Sequence, residues 1–427
     1  MSELEELQVG DHISLLSGFP FNSEYFDQQE GIRLIRIRDL LDPAEETYYR
    51  GSFDQRWLVR THDILIGMDG DFNIVRWKGG DALLNQRILK VDIKPNGSID
   101  KGFFYFWCSP LLQHIHNRTA ATTVKHLSVK DIEKATGLFP AKCVQRRIAE
   151  ILSTLDETIE QTEALIAKMQ RVKAGLLHDL FTRGVTSDGH LRATREQAPD
   201  LYKESPLGWI PIEWEIVTVE ECATRAPGST TIGPFGSNLI SSDYRSEGVP
   251  VVFVRDVKED TFGWNSGVYV SPKKAQTLGA HTVKPGDLLS TKMGLPPCIS
   301  CRYPDWMEEG VITADVIRLR PDQSKVDTRW LSAAMNSHLF KHQVQAITAG
   351  VTRPKITLSD FRKLLVARPR IQEQKNIAIR LENLADLVST EVAGLTKLRT
   401  EKDGLMHDLL TGLVPVIVPR GEEPLRN

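Results

Sequence analysis

The chain has 427 residues, of which 41% are hydrophobic and 26% are charged, and its formal net charge at pH 7 is −3. This composition is typical of a globular protein of two or three domains, and the slightly acidic balance excludes a uniformly basic nucleic-acid coat while leaving local basic patches open. No run approaches 18 apolar residues and the first residues lack the pattern of a signal peptide, so we expect neither a membrane span nor a secretory leader.

Residues 1–139 are dominated by short alternating apolar segments that are separated by clusters of Gly, Pro, Asn and Asp. Alternation over five or six residues is typical of half-buried strands. We therefore predict a first domain of mixed α and β structure over 1–139. One predicted strand lies in the segment IRLIRIRDLL and ends at the dipeptide Arg38-Asp39.

Residues 140–182 show the spacing of one long helix, with apolar residues in alternating steps of four and three. The heptad positions of this first seam are Ile148, Leu152, Leu155, Ile159, Ile166, Met169 and Leu176. A heptad pattern of this length predicts one strand of a coiled coil about 63 Å long, at a rise of about 1.5 Å per residue. We place Pro140 in its first turn, where proline is tolerated.

Residues 183–208 are polar and aperiodic, which predicts a linker. Residues 209–368 predict a second domain of the same kind as the first. Its strand VPVVFVRDVK ends in Arg255-Asp256, as the first domain's strand ends in Arg38-Asp39. A loop rich in Gly, Pro and Phe also occurs in both domains.

Residues 369–412 repeat the helical segment 229 residues later without a gap: QRRIAEILSTL at Gln145 resembles QKNIAIRLENL at Gln374. The second seam consists of Ile377, Leu381, Leu384, Val388, Leu395, Leu398 and Leu405. Each apolar stripe needs a cover, so we expect the two helices to pack antiparallel and to relate the two halves by a pseudo-twofold axis. The alternative is that each helix packs on its own domain. Residues 413–427 predict a loose tail.

The sequence contains no phosphate-binding loop, no dinucleotide-binding glycine pattern and no HExxH metalloprotease pattern. His178-Asp179 and His407-Asp408 resemble catalytic dyads, but their places near helix ends favour capping or an interhelix hydrogen bond. Cys298 and Cys301 form one CxxC without a second ligand pair, which favours buried thiols over a zinc site. Five cysteines in no even framework indicate a reducing cytoplasm.

The pair of helical repeats, above all RPRIQEQKNIAIRLENL from Arg368, resembles the specificity subunit of type I restriction–modification systems. The Gly-Pro-Phe-Gly loop at Gly233, the VFVRDV strand and the TAGVTRPKITLSDF stretch resemble the second target-recognition domain of that family. The first copy departs from the pattern, because Val144 stands where the second copy has Glu373.

The resemblance implies an α+β fold with two target-recognition domains, each followed by a long helix. It implies a non-catalytic, cytoplasmic, prokaryotic subunit that reads a split, asymmetric site in double-stranded DNA. Two methyltransferase subunits and the restriction (translocase) subunits are the implied partners, and S-adenosylmethionine, ATP and Mg²⁺ are expected there rather than in this chain. The alternatives are a coiled-coil scaffold with protein-binding domains and a stand-alone DNA-modifying enzyme.

Basic and hydroxyl side chains near the strand ends and loops are the candidate DNA contacts, since such groups bind phosphates and base edges. Our candidates are Arg38, Lys125, Ser237, Arg255, Lys292, Arg353 and Lys355. The alternative for any one of them is an ordinary solvated surface residue.

Overall fold

The computed structural model of the chain describes residues 4–41, 46–119, 125–348, 350 and 352–417. The chain divides into two compact units, of which unit 1 comprises residues 1–164 and 393–427 and unit 2 comprises residues 165–392. Each unit contains a sheet-rich globular part and one segment of each long helix. The predicted α+β class is therefore confirmed.

The globular part of unit 1 is built from short strands, namely β1 (Glu5–Gln8), β2 (Ile13–Ser17), β3 (Phe26–Asp27), β4 (Ile32–Ile35), β5 (Tyr48–Tyr49), β6 (Leu58–Val59), β7 (Ile64–Gly67), β8 (Ile74–Arg76), β9 (Ala82–Leu84), β10 (Ile88–Ile93) and β11 (Thr136–Phe139). They form a four-stranded sheet in the order β2-β10-β7-β8, a five-stranded sheet in the order β3-β5-β4-β9-β6 and the pair β1-β11. The described residues of this part also form the helices α1 (Val9–His12), α2 (Lys101–Arg118) and α3 (Val129–Glu133), and the first long helix, α4 (Lys142–Thr182), follows them.

The globular part of unit 2 repeats this plan with the strands β12 (Tyr202–Ser205), β13 (Gly208–Pro211), β14 (Glu215–Thr218), β15 (Thr230–Ile232), β16 (Tyr244–Arg245), β17 (Val249–Val252), β18 (Val257–Lys258), β19 (Thr261–Phe262), β20 (Tyr269–Val270), β21 (Thr282–Val283), β22 (Leu288–Thr291), β23 (Ser300–Arg302), β24 (Gly310–Ile312), β25 (Val316–Leu319) and β26 (Leu365–Arg368). The sheets are β15-β25-β22-β23, β16-β20-β17-β24-β21 and β14-β26, with β12-β13 and β18-β19 as further hairpins. The helices are α5 (Pro272–Thr277), α6 (Thr328–Asn336), α7 (His338–Thr348), α8 (Leu358–Lys363) and the second long helix α9 (Ile371–Leu410). In both five-stranded sheets one pair of neighbours, β4-β9 or β17-β24, is parallel.

A buried glutamine ties the start of α4 to the globular part of unit 1. The Gln145 amide donates to the carbonyl oxygens of Pro140 (2.8 Å) and Ser98 (3.0 Å), and its own oxygen accepts from the Asp100 N–H (2.8 Å). The helix begins at Lys142, so Pro140 precedes it, and our placement of Pro140 in the first turn is wrong.

The same three bonds recur at α9. The Gln374 amide donates to the carbonyl oxygens of Pro369 (2.8 Å) and Lys325 (3.0 Å) and accepts from the Asp327 N–H (2.8 Å). Asp327 in turn caps α6, as Asp100 caps α2. The 229-residue repeat therefore preserves a contact between a long helix and the capping residue of a shorter one.

All fourteen predicted seam residues are buried or half-buried, whereas apolar residues off the seam such as Leu165, Val172 and Leu387 are 40–55% exposed. In unit 1, Ile148 and Leu152 of α4 share a core cluster with Leu409 of α9 and with the globular part. In unit 2, the α9 residues Ile377 and Leu381 share a cluster with Leu176, Leu177 and Leu180 of α4. The apolar residues at the ends of the seam therefore contact both the other long helix and the globular part of their own unit. The structure combines the two arrangements that we considered.

Ion pairs within unit 1 fix the direction of the helices. Lys402 lies 2.6 Å from Asp156, and Arg399 lies 2.7 Å from Glu163. Residue numbers rise along α4 while those of their partners fall along α9, so the two helices are antiparallel, as predicted.

The prediction of a polar linker over 183–208 is wrong for much of that segment. Val185 is buried in the core of unit 2, and Arg192 is 8% exposed and bound to Glu373 of α9. The hairpin β12-β13 begins inside the predicted linker. Because Arg192 meets its acid 181 residues along the chain, no local pattern marks it.

The predicted C-terminal tail is folded in part. Of the predicted tail, Val416 packs against the core of unit 1, and residues 418–427 lie outside the described residues. Over the described part of the chain, no helix has the length and apolar character needed to cross a membrane.

Candidate nucleic-acid interface

The Arg38-Asp39 dipeptide closes a 3-10 turn at the end of β4. Asp39 is buried and accepts from the Arg36 N–H at 2.8 Å, which satisfies the start of the turn. The Arg38 side chain is 57% exposed, with its Nε 3.8 Å from Asp39. Of the two residues, the aspartate is therefore the structural one, and the arginine faces outward.

The second dipeptide repeats this turn after β17. Asp256 is fully buried and accepts from the Phe253 N–H (2.9 Å) and from the Ser266 hydroxyl (2.7 Å). Arg255 is exposed, stacks on the Phe253 ring at 4.5 Å and donates to Ser266 at 2.9 Å. The repeat of Arg-Asp is thus explained by a turn that needs the acid.

Three loops of unit 2 meet at one surface, which we call lip 2 and define as residues 233–240, 292–299 and 352–356. The Lys292 ammonium lies 4.7 Å from the centre of the Phe235 ring. Met293 forms a β-bridge with Lys355, and the Ile356 N–H donates to the Lys292 carbonyl at 2.9 Å. Backbone bonds therefore hold the lysines of two distant segments side by side.

A close approach of the backbone makes glycine necessary at the first loop of each unit. A Cβ on Gly233 would lie 2.2 Å from the Thr313 backbone, and one on Gly18 would lie 1.9 Å from the Asn85 oxygen. Neither distance is tolerated by real Cβ atoms. The glycines let Phe235 and Phe19 run past the end of the parallel strand pair.

Lip 2 combines positive charge with exposed apolar side chains. In the part of the chain that the structure describes, Lys292, Arg353 and Lys355 form no ion pair with a carboxylate. Phe235 is 57% exposed and Leu295 is 85% exposed. Cations without acids favour an anionic partner, and an exposed apolar patch with a polar rim is typical of a binding surface.

Four of the five candidates of unit 2 lie in lip 2, namely Ser237, Lys292, Arg353 and Lys355. Ser237 is in the exposed 3-10 turn that follows Phe235. The fifth candidate, Arg255, has the contacts with Phe253 and Ser266 described above. DNA contact by all five remains a prediction.

Unit 1 has a corresponding surface, lip 1, which we define as residues 68–72, 87 and 125–127. The Gly70 N–H donates to the Lys125 carbonyl (3.2 Å), as the Gly294 N–H donates to the Pro354 carbonyl (3.3 Å) in lip 2. The Lys125 ammonium, however, donates to the His116 carbonyl (2.6 Å) near the end of α2. Because its ammonium is bound to a carbonyl at a helix terminus, Lys125 is a weaker candidate for a DNA contact.

Sequence reasoning missed the side chains that occupy lip 1. Asp69 forms a β-bridge with His126, accepts from its ring at 2.7 Å and pairs with Arg87. Burial would raise the pKa of Asp69, but the hydrogen bonds from His126 and Arg87 outweigh it and lower that pKa. The signal was available, because His126 stands 229 residues before Lys355.

The other candidate chemistry is structural. The carbonyls of His178 and His407 accept from the hydroxyls of Thr182 (2.7 Å) and Thr411 (2.6 Å), one helical turn on. Asp179 pairs with Arg183 at 3.1 Å. The two Thr bonds involve the histidine backbone and not the rings, so capping or an interhelix bond by the His-Asp side chains stays a prediction.

Cys298 and Cys301 are buried in two different core clusters. Burial raises the pKa of each thiol to about 12. Both are therefore protonated and unreactive at neutral pH, as the alternative of buried thiols predicts.

A family model described as the type I restriction modification DNA specificity domain matches residues 1–171. The specificity subunit of the Escherichia coli type I restriction enzyme EcoBI is 27% identical over 388 residues, which cover 89% of this chain and 79% of that protein. The chain is thus similar to the specificity subunits of type I restriction–modification systems. A second relative, the MjaVIII specificity subunit of Methanocaldococcus jannaschii, is 21% identical over 422 residues, with 96% and 93% covered.

Solved specificity subunits share the fold. The crystal structure of the S subunit from M. genitalium has a TM-score of 0.61 at 15% identity, with 98% of this chain and 97% of that chain covered. A structure from work on complex assembly and conformational transition of the type I system has a TM-score of 0.53 at 15% identity, with 96% and 98% covered. The predicted resemblance to type I specificity subunits is confirmed by the family model and by the named relatives.

Proposed function

We propose that this specificity subunit reads a split, asymmetric target in double-stranded DNA, with one half-site for each unit. The observation that carries the proposal is that lips 1 and 2 share one backbone scaffold but not their side chains. Lip 1 carries Asp69, Arg87 and His126, whereas lip 2 carries Lys292 and Lys355. Equal scaffolds with different side chains suit two readers of different sequences.

Two readers on one chain also gain affinity from each other. Once one lip is bound, the second half-site is met at an effective concentration that the spacer sets. Helices of about 60 Å, at about 1.5 Å per residue, provide a spacer that is long relative to a DNA turn of about 34 Å.

Partner subunits supply the chemistry in this proposal. Two methyltransferase subunits and restriction (translocase) subunits dock on the chain in the prokaryotic cytoplasm, and S-adenosylmethionine, ATP and Mg²⁺ act in them. Exposed apolar residues on the long helices support docking, since they lie off the seam: Leu165, Val172 and Leu387. Such side chains are available to further helices.

The test is the binding of the assembled methyltransferase complex to its methylome-defined target, measured by fluorescence anisotropy over a range of salt. We expect tight binding that weakens with salt and that requires both half-sites. Lys292→Ala with Lys355→Ala should lower the affinity at least tenfold, whereas the exposed Lys273→Ala should not. A scaffold would show no salt-dependent DNA binding, and a stand-alone enzyme would turn over DNA without partner subunits.

A further inference from the structure

The loop between β22 and β23 presents a leucine to solvent on a rigid base. Leu295 is 85% exposed, yet Cys298, three residues on, is 3% exposed. The Cys298 N–H donates to the Thr291 carbonyl (2.8 Å), and the Ile299 N–H donates to the Thr291 hydroxyl (3.0 Å). The loop is closed at its base, so its apolar tip stays outside the core.

This leucine is part of a larger apolar surface. Met293 is 36% exposed, and Phe235, which lies under the Lys292 ammonium, is 57% exposed. Single exposed leucines are common in proteins, but several exposed apolar side chains among unpaired cations in one set of loops indicate an interaction site. The cations Lys292, Arg353 and Lys355 favour a polyanion as the partner that covers it.

Unit 1 provides an internal comparison at the same loop position. Asp71 follows Gly70 as Leu295 follows Gly294. The N–H groups of the two glycines donate to the carbonyls of Lys125 and Pro354, which are themselves 229 residues apart in the sequence. The Asp71 side chain is 84% exposed. One loop therefore presents a carboxylate, which accepts hydrogen bonds, and the other presents an aliphatic group, which forms none.

We propose that Leu295, with Met293 beside it, reads thymine methyl groups in the half-site that unit 2 binds. The proposal rests on the DNA-reading function and names its chemistry. The thymine methyl is the apolar group that base edges display in the major groove, and that groove admits a two-stranded hairpin such as β22-β23. The cations of lip 2 bind the flanking phosphates and thereby position Leu295 in the major groove.

The experiment replaces each thymine of the target by deoxyuridine, one at a time, in both half-sites. Deoxyuridine keeps the base pair and removes only the methyl group. For the complex with the wild-type chain we expect three- to fivefold weaker binding at one or two thymines, all within one half-site, as removal of one buried methyl predicts (about 0.8 kcal/mol). Leu295→Ala should weaken binding to the thymine duplex by a similar factor and should no longer distinguish thymine from uracil there.

Two matched variants serve as controls. Asp71→Ala changes the equivalent position of unit 1 and should leave the discrimination between thymine and uracil intact. Leu201→Ala removes an exposed leucine elsewhere in unit 2 and should change neither affinity nor discrimination. Because Leu295 contributes little to the core, all three variants should unfold at the wild-type temperature.

Several outcomes would overturn the inference: a half-site without a thymine on either strand, equal binding of thymine and uracil duplexes, or discrimination that survives Leu295→Ala. If the complex with the wild-type chain binds thymine and uracil duplexes equally and Leu295→Ala still lowers the affinity, Leu295 acts as a wedge between bases, which would also overturn the inference. The proposed function fails separately, if the complex with the wild-type chain does not prefer its target to a scrambled duplex.

Discussion

Two buried side-chain amides explain why the repeat is strongest at the starts of the long helices. Gln145 and Gln374 are 0–1% exposed, and each makes three hydrogen bonds to backbone groups. Buried donors and acceptors without partners are costly, so few other residues fit this position. Seen in the sequence alone, these glutamines mark a helix start. Two of the three partners of each glutamine could not be predicted, because they lie more than forty residues away in the chain.

Gln374→Ala should lower the free energy of unfolding by about 2–3 kcal/mol, because the Asp327 N–H and two carbonyl oxygens lose their buried partner. Urea unfolding followed by circular dichroism measures this. The neighbouring Gln372 is exposed, so Gln372→Ala should change stability by less than about 0.5 kcal/mol. Equal effects of the two substitutions would show that the buried amide does not stabilise the helix start.

The ion pair between Arg192 and Glu373 distinguishes the two copies. Both side chains are about nine-tenths buried, and Glu373 also accepts from the Val185 N–H (2.9 Å) and the Trp214 indole (3.3 Å). Val144 takes this place in unit 1, where it lies in an apolar core. The departure from the repeat, visible in the sequence, therefore reflects a polar anchor that only unit 2 needs.

Arg192→Met should destabilise the protein by about 3–5 kcal/mol, since it leaves a buried carboxylate without its cation. Arg147→Met breaks the exposed pair with Glu150 and should cost less than about 1 kcal/mol. Thermal or urea unfolding of both variants provides the comparison. A small effect of Arg192→Met would mean that the pair adds little to the attachment of residues 183–208.

At the scale of elements, the helical period was predictable and the attachments were not. The heptad positions identified the covered stripe, because burial on one face leaves a period that is local in sequence. The strand order of the sheets and the folded state of residues 183–208 depend on contacts between distant segments. His126 differs from these cases, because the 229-residue offset from Lys355 was enough to nominate it in place of Lys125.

Leu395→Ala should lower the free energy of unfolding by about 2–3 kcal/mol, because it removes buried contacts from the seam. Leu395 is 9% exposed, whereas Leu387 on the same helix is 55% exposed. Leu387→Ala should therefore leave the free energy of unfolding nearly unchanged, as measured by urea titration. If Leu387→Ala were the more costly change, the assignment of the seam would be wrong.

The whole molecule is a duplicated plan, in which each unit pairs one sheet-rich part with segments of α4 and α9. The ungapped 229-residue repeat predicted two copies, and the matching sheet orders agree with it. The side chains that the two lips present differ between the copies.

The most direct test of two readers on a helical spacer lengthens both helices together, with one heptad inserted between Ala164 and Leu165 and one between Val392 and Ala393. Seven residues add about 10.5 Å, or up to about three base pairs. The assembled complex is then used to select duplexes from a library in which the gap between the half-sites varies. The account predicts unchanged half-sites with a longer preferred gap; altered half-site bases, or an unchanged gap, would contradict it.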